Sequence, residues 1–289
     1  MVIVRLRSVM TMGAAAAVLL MACGFAGERR GMTAGLPARA ATHCPTISAR
    51  LGLHWPYNNL PENSAAAIDA AHKAGAPKVE VDVNFSRDGV PMALHDYWLN
   101  GVTAHTGNVW DFTAAQLETF PLKIGGRQAN KGMSSQHLQS LWSALNRAKA
   151  DGMRVSVEIK PESLTAARAH AVALRFGWLN DWNMIDVRSF DPPVLAAMRR
   201  ADHRIHTTLT VDRPVVPAPA GNVMESIAFD TPGAAIKPAT VSALHAAGLT
   251  VDAYTPNTPA EFSTVPLTVD QITTNNVPGA LAFLKAHGC

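Results

Sequence analysis

From Thr46 onward, short runs of β-branched and aliphatic residues alternate with longer Ala-rich stretches. The runs Thr46–Arg50, Lys78–Phe85, Arg154–Ile159, Asn183–Arg188, Ile205–Val211, Ser226–Asp230, Thr250–Tyr254 and Asp270–Thr273 have the length and residue types of strands. Between them, Glu62–Ala74, Gln139–Ala150, Leu164–Phe176, Pro193–Arg200, Pro238–Ala246 and Gly279–His287 are the expected helices. Such an alternation over about 245 residues predicts the α/β class and, at that size, a single (β/α)8 TIM barrel.

Three polar residues interrupt these apolar strands in a regular way. In Lys78–Phe85, Val79, Val81 and Val83 fall on one face, so Glu80 and Asp82 project together from the other. In Arg154–Ile159, Glu158 shares a face with Lys160 just beyond. Carboxylates gathered inside a barrel repel each other and lose solvation unless a positive charge joins them. Glu80, Asp82 and Glu158 together form an oxygen-rich site for one hard divalent cation, Ca²⁺ or Mg²⁺. Lys160 adds a point charge suited to a phosphate oxygen. His95-Asp96 follows the apolar run Met92-Ala93-Leu94, and an imidazole at the barrel mouth is a candidate proton-transfer group.

The chain has 289 residues, 48% hydrophobic and 16% charged, which excludes a disordered polymer. Its formal net charge of +3 includes Arg5 and Arg7 of a leader, so no nucleic-acid partner is expected. Arg5 and Arg7 precede an apolar run, Met12 to Ala22, too short for the roughly 20 residues of a spanning helix. Residues 1–26 therefore read as an export signal, and residues 27–43 as a tether to a folded part spanning 44–289. Leu20-Met21-Ala22-Cys23 is similar to a lipoprotein cleavage box, with Cys23 lipidated and attached to a membrane; Gly24-Phe25-Ala26 offers an ordinary cut instead. The expected location is periplasmic or the cell envelope. Cys44 and Cys289 bracket the folded part, and a disulfide between them stands open against two packed thiols. No Gly-x-Gly-x-x-Gly, P-loop or Gly-x-Ser-x-Gly motif is present, which removes the commonest dinucleotide, nucleotide and serine-hydrolase cues.

Taken in order, Leu60-Pro61-Glu62-Asn63-Ser64, Glu80-x-Asp82, Arg87-Asp88-Gly89, Leu94-His95-Asp96, Thr106-Gly107, Glu158-x-Lys160 and Ser189-Phe190 resemble the glycerophosphodiester phosphodiesterase family. Each motif alone is weak; the ordered set is specific and covers nearly the whole chain after Cys44. The resemblance implies a (β/α)8 barrel that hydrolyses glycerophosphodiesters, such as glycerophospholipid headgroups, to glycerol 3-phosphate and an alcohol. It implies that Glu80, Asp82 and Glu158 hold one divalent cation, that Lys160 and His95 face the phosphate, and that Glu62 belongs to the substrate site.

The chain departs from that family where its first strand ends. Relatives carry His-Arg-Gly there, often continued by Leu-His, and this chain reads Arg50-Leu51-Gly52-Leu53-His54. Arg50 thus stands for a catalytic His and Leu51 for a phosphate-binding Arg. An arginine stays protonated and is no base near neutral pH, but Arg50 can replace the lost guanidinium clamp by reaching across. His54 is the other candidate imidazole, although it is expected in the loop beyond the strand, beside Trp55. Tyr254 stands at a position that is usually Trp and keeps a surface for the glycerol end. Gly101 replaces an Arg, and Thr274-Asn275 replaces Thr-Asp. Two readings follow: a metal-dependent phosphodiesterase with altered activity, or a silent relative that binds phosphodiesters or metal.

Overall fold

A computed structural model describes residues 43–126, 129, 131–179, 184–211, 226–230 and 236–289. The leader and most of the tether lie outside the described residues. Eleven strands are described: β1 (Thr46–Ala49), β2 (Lys78–Phe85), β3 (Pro91–Ala93), β4 (Pro121–Lys123), β5 (Met133–His137), β6 (Arg154–Ile159), β7 (Ile185–Ser189), β8 (His206–Val211), β9 (Ser226–Asp230), β10 (Thr250–Tyr254) and β11 (Gln271–Thr274). Eight helices are interspersed: α1 (Ala65–Lys73), α2 (Ala114–Leu117), α3 (Leu141–Ala150), α4 (Ala166–Leu179), α5 (Pro192–Ala201), α6 (Pro238–Ala246), α7 (Pro259–Phe262) and α8 (Val277–Ala286).

The parallel strands run in the order β1-β11-β10-β9-β8-β7-β6-β2. β1 pairs in parallel with both β11 and β2, so the curled sheet returns on itself through eight strands. All eight expected strands are present, with ends shifted by a residue or two. β1 stops at Ala49 rather than Arg50, because Leu51 turns the chain with φ +56° after Arg50 N–H donates to the Thr274 carbonyl at 2.8 Å. The first helix starts at Ala65 rather than Glu62. Asn63 also has φ +56°, and the Ser64 hydroxyl caps the helix by accepting from Ala67 N–H at 3.1 Å.

β2 is buried along its whole length because its two faces meet different layers. Val79, Val81 and Val83 pack in the shell between strands and helices, with Ile68, Ala71, Val157, Val187, Leu195 and Ile272. Their alternating neighbours fill the barrel interior. Gly52, with φ +77°, lets the β1–α1 turn press on α1: a Cβ there would lie 2.7 Å from the Ala67 carbonyl carbon. Between β2 and β6 the chain makes a long excursion. β3 folds back antiparallel on β2, and β4 and β5 form a separate hairpin that the alternation did not foretell. Met92, Leu94, Leu99, Val102, Leu117 and Leu122 make a second small core under this excursion. Cys44 and Cys289 form a disulfide, Cα atoms 5.6 Å apart, tying the start of the folded part to its end.

Candidate active site

The barrel places the three sequence-predicted carboxylates side by side. Asp82 on β2 and Glu158 on β6 are register partners, and Glu80 is one pleat below Asp82 on the same face. Oxygens of Glu80, Asp82 and Glu158 all lie within 4.8 Å of one another, and all three residues are buried. Among the described residues neither buried Asp82 oxygen has a well-directed hydrogen bond: Oδ1 has the Lys160 ammonium 3.2 Å away, and Oδ2 has no partner. An acceptor-only group left in that state calls for a cation. Three convergent oxygen donors suit a hard divalent ion, so these residues fit Ca²⁺ or Mg²⁺ and could hold one.

Protein cations already stand around this cluster. Lys160 donates to Glu158 and lies 3.2 Å from Asp82 Oδ1. Arg188, at the end of β7, donates to Glu80 with one nitrogen and to Asp252 on β10 with the other. Arg50 Nε lies 3.9 Å from Glu80 Oε1. Burial pushes the Glu80 carboxyl up to about 7, aided by Glu158 and Asp82 and opposed by Arg188 and Arg50. Burial pushes Asp82 in the same direction, but Lys160, His95 and Arg50 outweigh it and hold Asp82 below its ordinary value. Burial tends to lower Arg50 and Lys160, yet the carboxylates prevail and both are raised.

His95 is set at the rim of this cluster by β2 itself. Leu94 N–H donates to the Asp82 carbonyl at 2.9 Å, and Asn84 Nδ2 donates to the carbonyls of Leu94 and His95 at 3.1 and 3.2 Å. His95 Nδ1 bonds Asp96 Oδ1 at 2.8 Å, which fixes the proton on Nδ1 and leaves Nε2 as the exchangeable atom.

The remaining predicted residues border the site at different depths. Leu51 is buried and apolar, so it supplies no phosphate donor. His54 lies in the loop after β1, as expected, with Nε2 donating to Asn275 Oδ1 at 3.1 Å. Burial pushes its imidazole below the ordinary value, so His54 is neutral at pH 7 and tied to an amide. Glu62 is half-buried, with Oε1 lacking a hydrogen bond, and its charge acts on both Arg50 and His54. Tyr254 ends β10, and its ring meets the exposed Phe190 edge to face at 6.1 Å.

Sequence reasoning missed Arg188, Asp252, Asn63 and Asn84 as parts of this arrangement. Asn63 Oδ1 accepts from Asp82 N–H at 3.2 Å. Arg188 had a legible signal, since it alternates with Ile185, Val187 and Ser189 on a strand and so faces the interior with Asp186. A cavity of about 630 Å³, lined by Thr46, Lys78, Arg154, Arg188, Thr250 and Gln271 among others, opens at the opposite end of the barrel. Barrel chemistry belongs to the C-terminal ends of the strands, where the acidic trio and His95 sit.

A family model described as the glycerophosphoryl diester phosphodiesterase family matches residues 57–278. Glycerophosphodiester phosphodiesterase 1 of Rattus norvegicus is 30% identical over 165 residues, covering 57% of this chain and 48% of the relative. A probable glycerophosphodiester phosphodiesterase 1 of Mycobacterium tuberculosis is 44% identical over 57 residues, 20% of this chain and 21% of the relative. The chain thus spans about half the length of the mammalian relative, or less of the bacterial one. Among solved structures, a putative glycerophosphoryl diester phosphodiesterase from Silicibacter pomeroyi superposes with TM-score 0.73 at 19% identity, covering 85% of this chain and 95% of that one. A phosphodiesterase from Oleispira antarctica, in complex with the product sn-glycerol-3-phosphate, gives TM-score 0.70 at 19% identity, with 84% and 97% coverage.

Proposed function

This chain belongs to the glycerophosphoryl diester phosphodiesterase family, and on that footing we propose that it hydrolyses glycerophosphodiesters to glycerol 3-phosphate and an alcohol with one bound Ca²⁺ or Mg²⁺. The observation that carries this reading is the buried trio Glu80, Asp82 and Glu158, with Asp82 Oδ2 lacking a hydrogen bond among the described residues and Oδ1 met by Lys160 alone. The ion, when bound to these three carboxylates, polarises the phosphoryl group and lowers the charge that an attacking oxygen must approach.

The chain's own residues supply the rest. Lys160 holds Glu158 and Asp82 in place and sets positive charge beside them. Asp96 orients His95 so that Nε2 exchanges the proton with the nucleophile or the leaving group. Arg50 stays protonated and serves as the phosphate clamp, in place of the guanidinium lost at Leu51. Glu62 and the neutral His54 border the pocket beside Arg50, where they can bond the glycerol hydroxyls, and Tyr254 provides an apolar wall for the glycerol carbons. With one of two usual proton-transfer residues replaced, the rate is expected to be about 10²–10⁴ below that of a complete site.

A second reading is favoured by one observation: a permanently charged Arg50 and a buried Leu51 stand where relatives carry the first catalytic pair. In that reading the same mouth binds a phosphodiester or metal without cleaving it. The test is glycerol 3-phosphate release from glycerophosphocholine with added Ca²⁺ or Mg²⁺. Release that stops with chelator and with His95→Ala supports hydrolysis; no release at any metal concentration supports binding alone.

The folded part, residues 44–289, follows an export signal in residues 1–26 and a tether in 27–43. The Cys44–Cys289 disulfide supports an oxidising periplasmic or cell-envelope location. Lipidation of Cys23 would add membrane attachment; labelled-palmitate incorporation, lost in Cys23→Ser, distinguishes it from cleavage after Ala26.

A further inference from the structure

The two cations that face the acidic trio from the barrel mouth are bonded differently. Lys160 is committed: it donates to Glu158 and pairs with Asp82. Arg50 is held by charge alone. Its nearest approach is Nε at 3.9 Å from Glu80 Oε1, and its guanidinium makes no hydrogen bond to a described side chain or carbonyl. The side chain is 22% exposed, so it is not sealed inside the barrel. Glu80 is meanwhile held at its other oxygen by Arg188, so both oxygens of this carboxylate face a guanidinium.

A cation 3.9 Å from a carboxylate oxygen competes directly with any ion that would use that oxygen. A planar fork of five donors also has a better partner available than one distant oxygen, namely two oxygens of a phosphate. We propose that Arg50 is a tethered cation that guards Glu80 in the ligand-free chain and moves onto the phosphate when a phosphodiester binds. Divalent cation and phosphodiester therefore bind cooperatively, each raising the affinity of the other. This rests on the reading that Glu80, Asp82 and Glu158 hold a metal. By linkage the effect is reciprocal: a phosphate that draws Arg50 from Glu80 strengthens metal binding by the factor with which metal strengthens phosphate binding. A family member with His at this position has no such permanent charge on its metal ligand.

Calorimetric titration of CaCl₂ and MgCl₂ into the folded chain, with and without saturating glycerol 3-phosphate, tests this without turnover. For the unmodified chain, glycerol 3-phosphate should tighten metal binding about tenfold or more, within the usual range for coupled sites. Arg50→Gln should bind metal alone about tenfold more tightly than the unmodified chain, and its gain from glycerol 3-phosphate should fall to about threefold or less. Arg50→Lys keeps the charge and loses the fork, so its metal affinity should stay near that of the unmodified chain while coupling weakens. Circular dichroism establishes that each variant is folded, and the Lys variant carries the test if the Gln variant is not. Unchanged metal affinity and coupling in both variants, with binding abolished by Glu80→Gln, would overturn the guarding role and leave the metal site standing. Absence of metal binding in the unmodified chain and both Arg50 variants, with and without glycerol 3-phosphate, would overturn the metal reading itself.

Discussion

Arg188 is the interior residue whose loss should be felt most. It is 1% exposed and donates to two buried carboxylates on different strands, Glu80 of β2 and Asp252 of β10. Arg188→Met removes the cation and leaves both acids in place. Asp252 keeps hydrogen bonds from Thr273 Oγ1 and Gln271 Nε2, each at 2.8 Å, whereas among the described residues Glu80 keeps only Arg50 as a cationic partner, at 3.9 Å. Removing one partner of a buried pair typically costs about 3–5 kcal/mol. Against a total stability of about 5–15 kcal/mol, such a loss is large.

The cost should depend on pH, in a direction fixed by Glu80. Its native carboxyl is raised to about 7, above the unfolded value, so the native state holds a proton that the unfolded chain releases. A raised group contributes its stability fully at low pH and loses it as pH climbs through the native value. Without Arg188 the native value rises further, so the gap between variant and unmodified chain opens above about pH 7 and is smaller at pH 5. Urea unfolding followed by circular dichroism, with chelator present, should show a loss of about 3–5 kcal/mol at pH 8 and clearly less at pH 5. The triple variant Arg188→Met, Glu80→Gln, Asp252→Asn should recover most of it. A loss under about 1 kcal/mol at pH 8, or the same loss at both pH values, would refute the assignment of Arg188 as the counter-charge of this interior.

Four further outcomes follow from particular contacts. Gly52→Ala forces a side chain into a left-handed position against the Ala67 backbone and should cost at least about 2 kcal/mol in urea unfolding. Cys289→Ser, or reduction, opens a loop with a sequence separation of 245 residues and should lower stability by about 2–4 kcal/mol, read as a fall in Tm under reductant. His54 is neutral when folded, with its native value below the unfolded one, so stability should fall as pH drops below about 6.5. Replacing His54 with Gln should flatten that part of the stability–pH curve. Glu80→Gln should abolish stabilisation by Ca²⁺ or Mg²⁺ in a thermal melt, and a metal response equal to that of the unmodified chain would remove Glu80 from the site.

Much of this arrangement is legible in the sequence because a barrel strand has a strict two-residue period. Val79, Val81 and Val83 against Glu80 and Asp82 fix which side chains face inward before any pairing is known, and Glu158 repeats the pattern. The eight parallel strands follow from the same rule applied along the chain. The period says nothing of which strand lies beside which at what height, so the Asp82–Glu158 register pair needed the structure. The Arg188 bridge from Glu80 to Asp252 crosses the barrel and joins strands 64 residues apart in sequence on one side and 108 on the other. Pro91–Ala93 is too short for a period to register, and Met133–His137, although five residues long, reads Met-Ser-Ser-Gln-His with none of the β-branched residues that mark the barrel strands. His54 shows the other limit: its place in a loop is readable, but its bond to Asn275 arises because β1 and β11, far apart in sequence, pair side by side.

Whether this barrel still cuts phosphodiesters is read from glycerol 3-phosphate release by the mature chain beside the double reversion Arg50→His, Leu51→Arg, each with Ca²⁺ or Mg²⁺ and with chelator. The unmodified chain should show slow, chelator-sensitive release, and the reversion release about 10²–10⁴ faster, the effect of restoring one proton-transfer residue. Release by the reversion alone, with the unmodified chain silent, would contradict that expectation and leave a barrel that binds phosphodiesters and has given up cutting them.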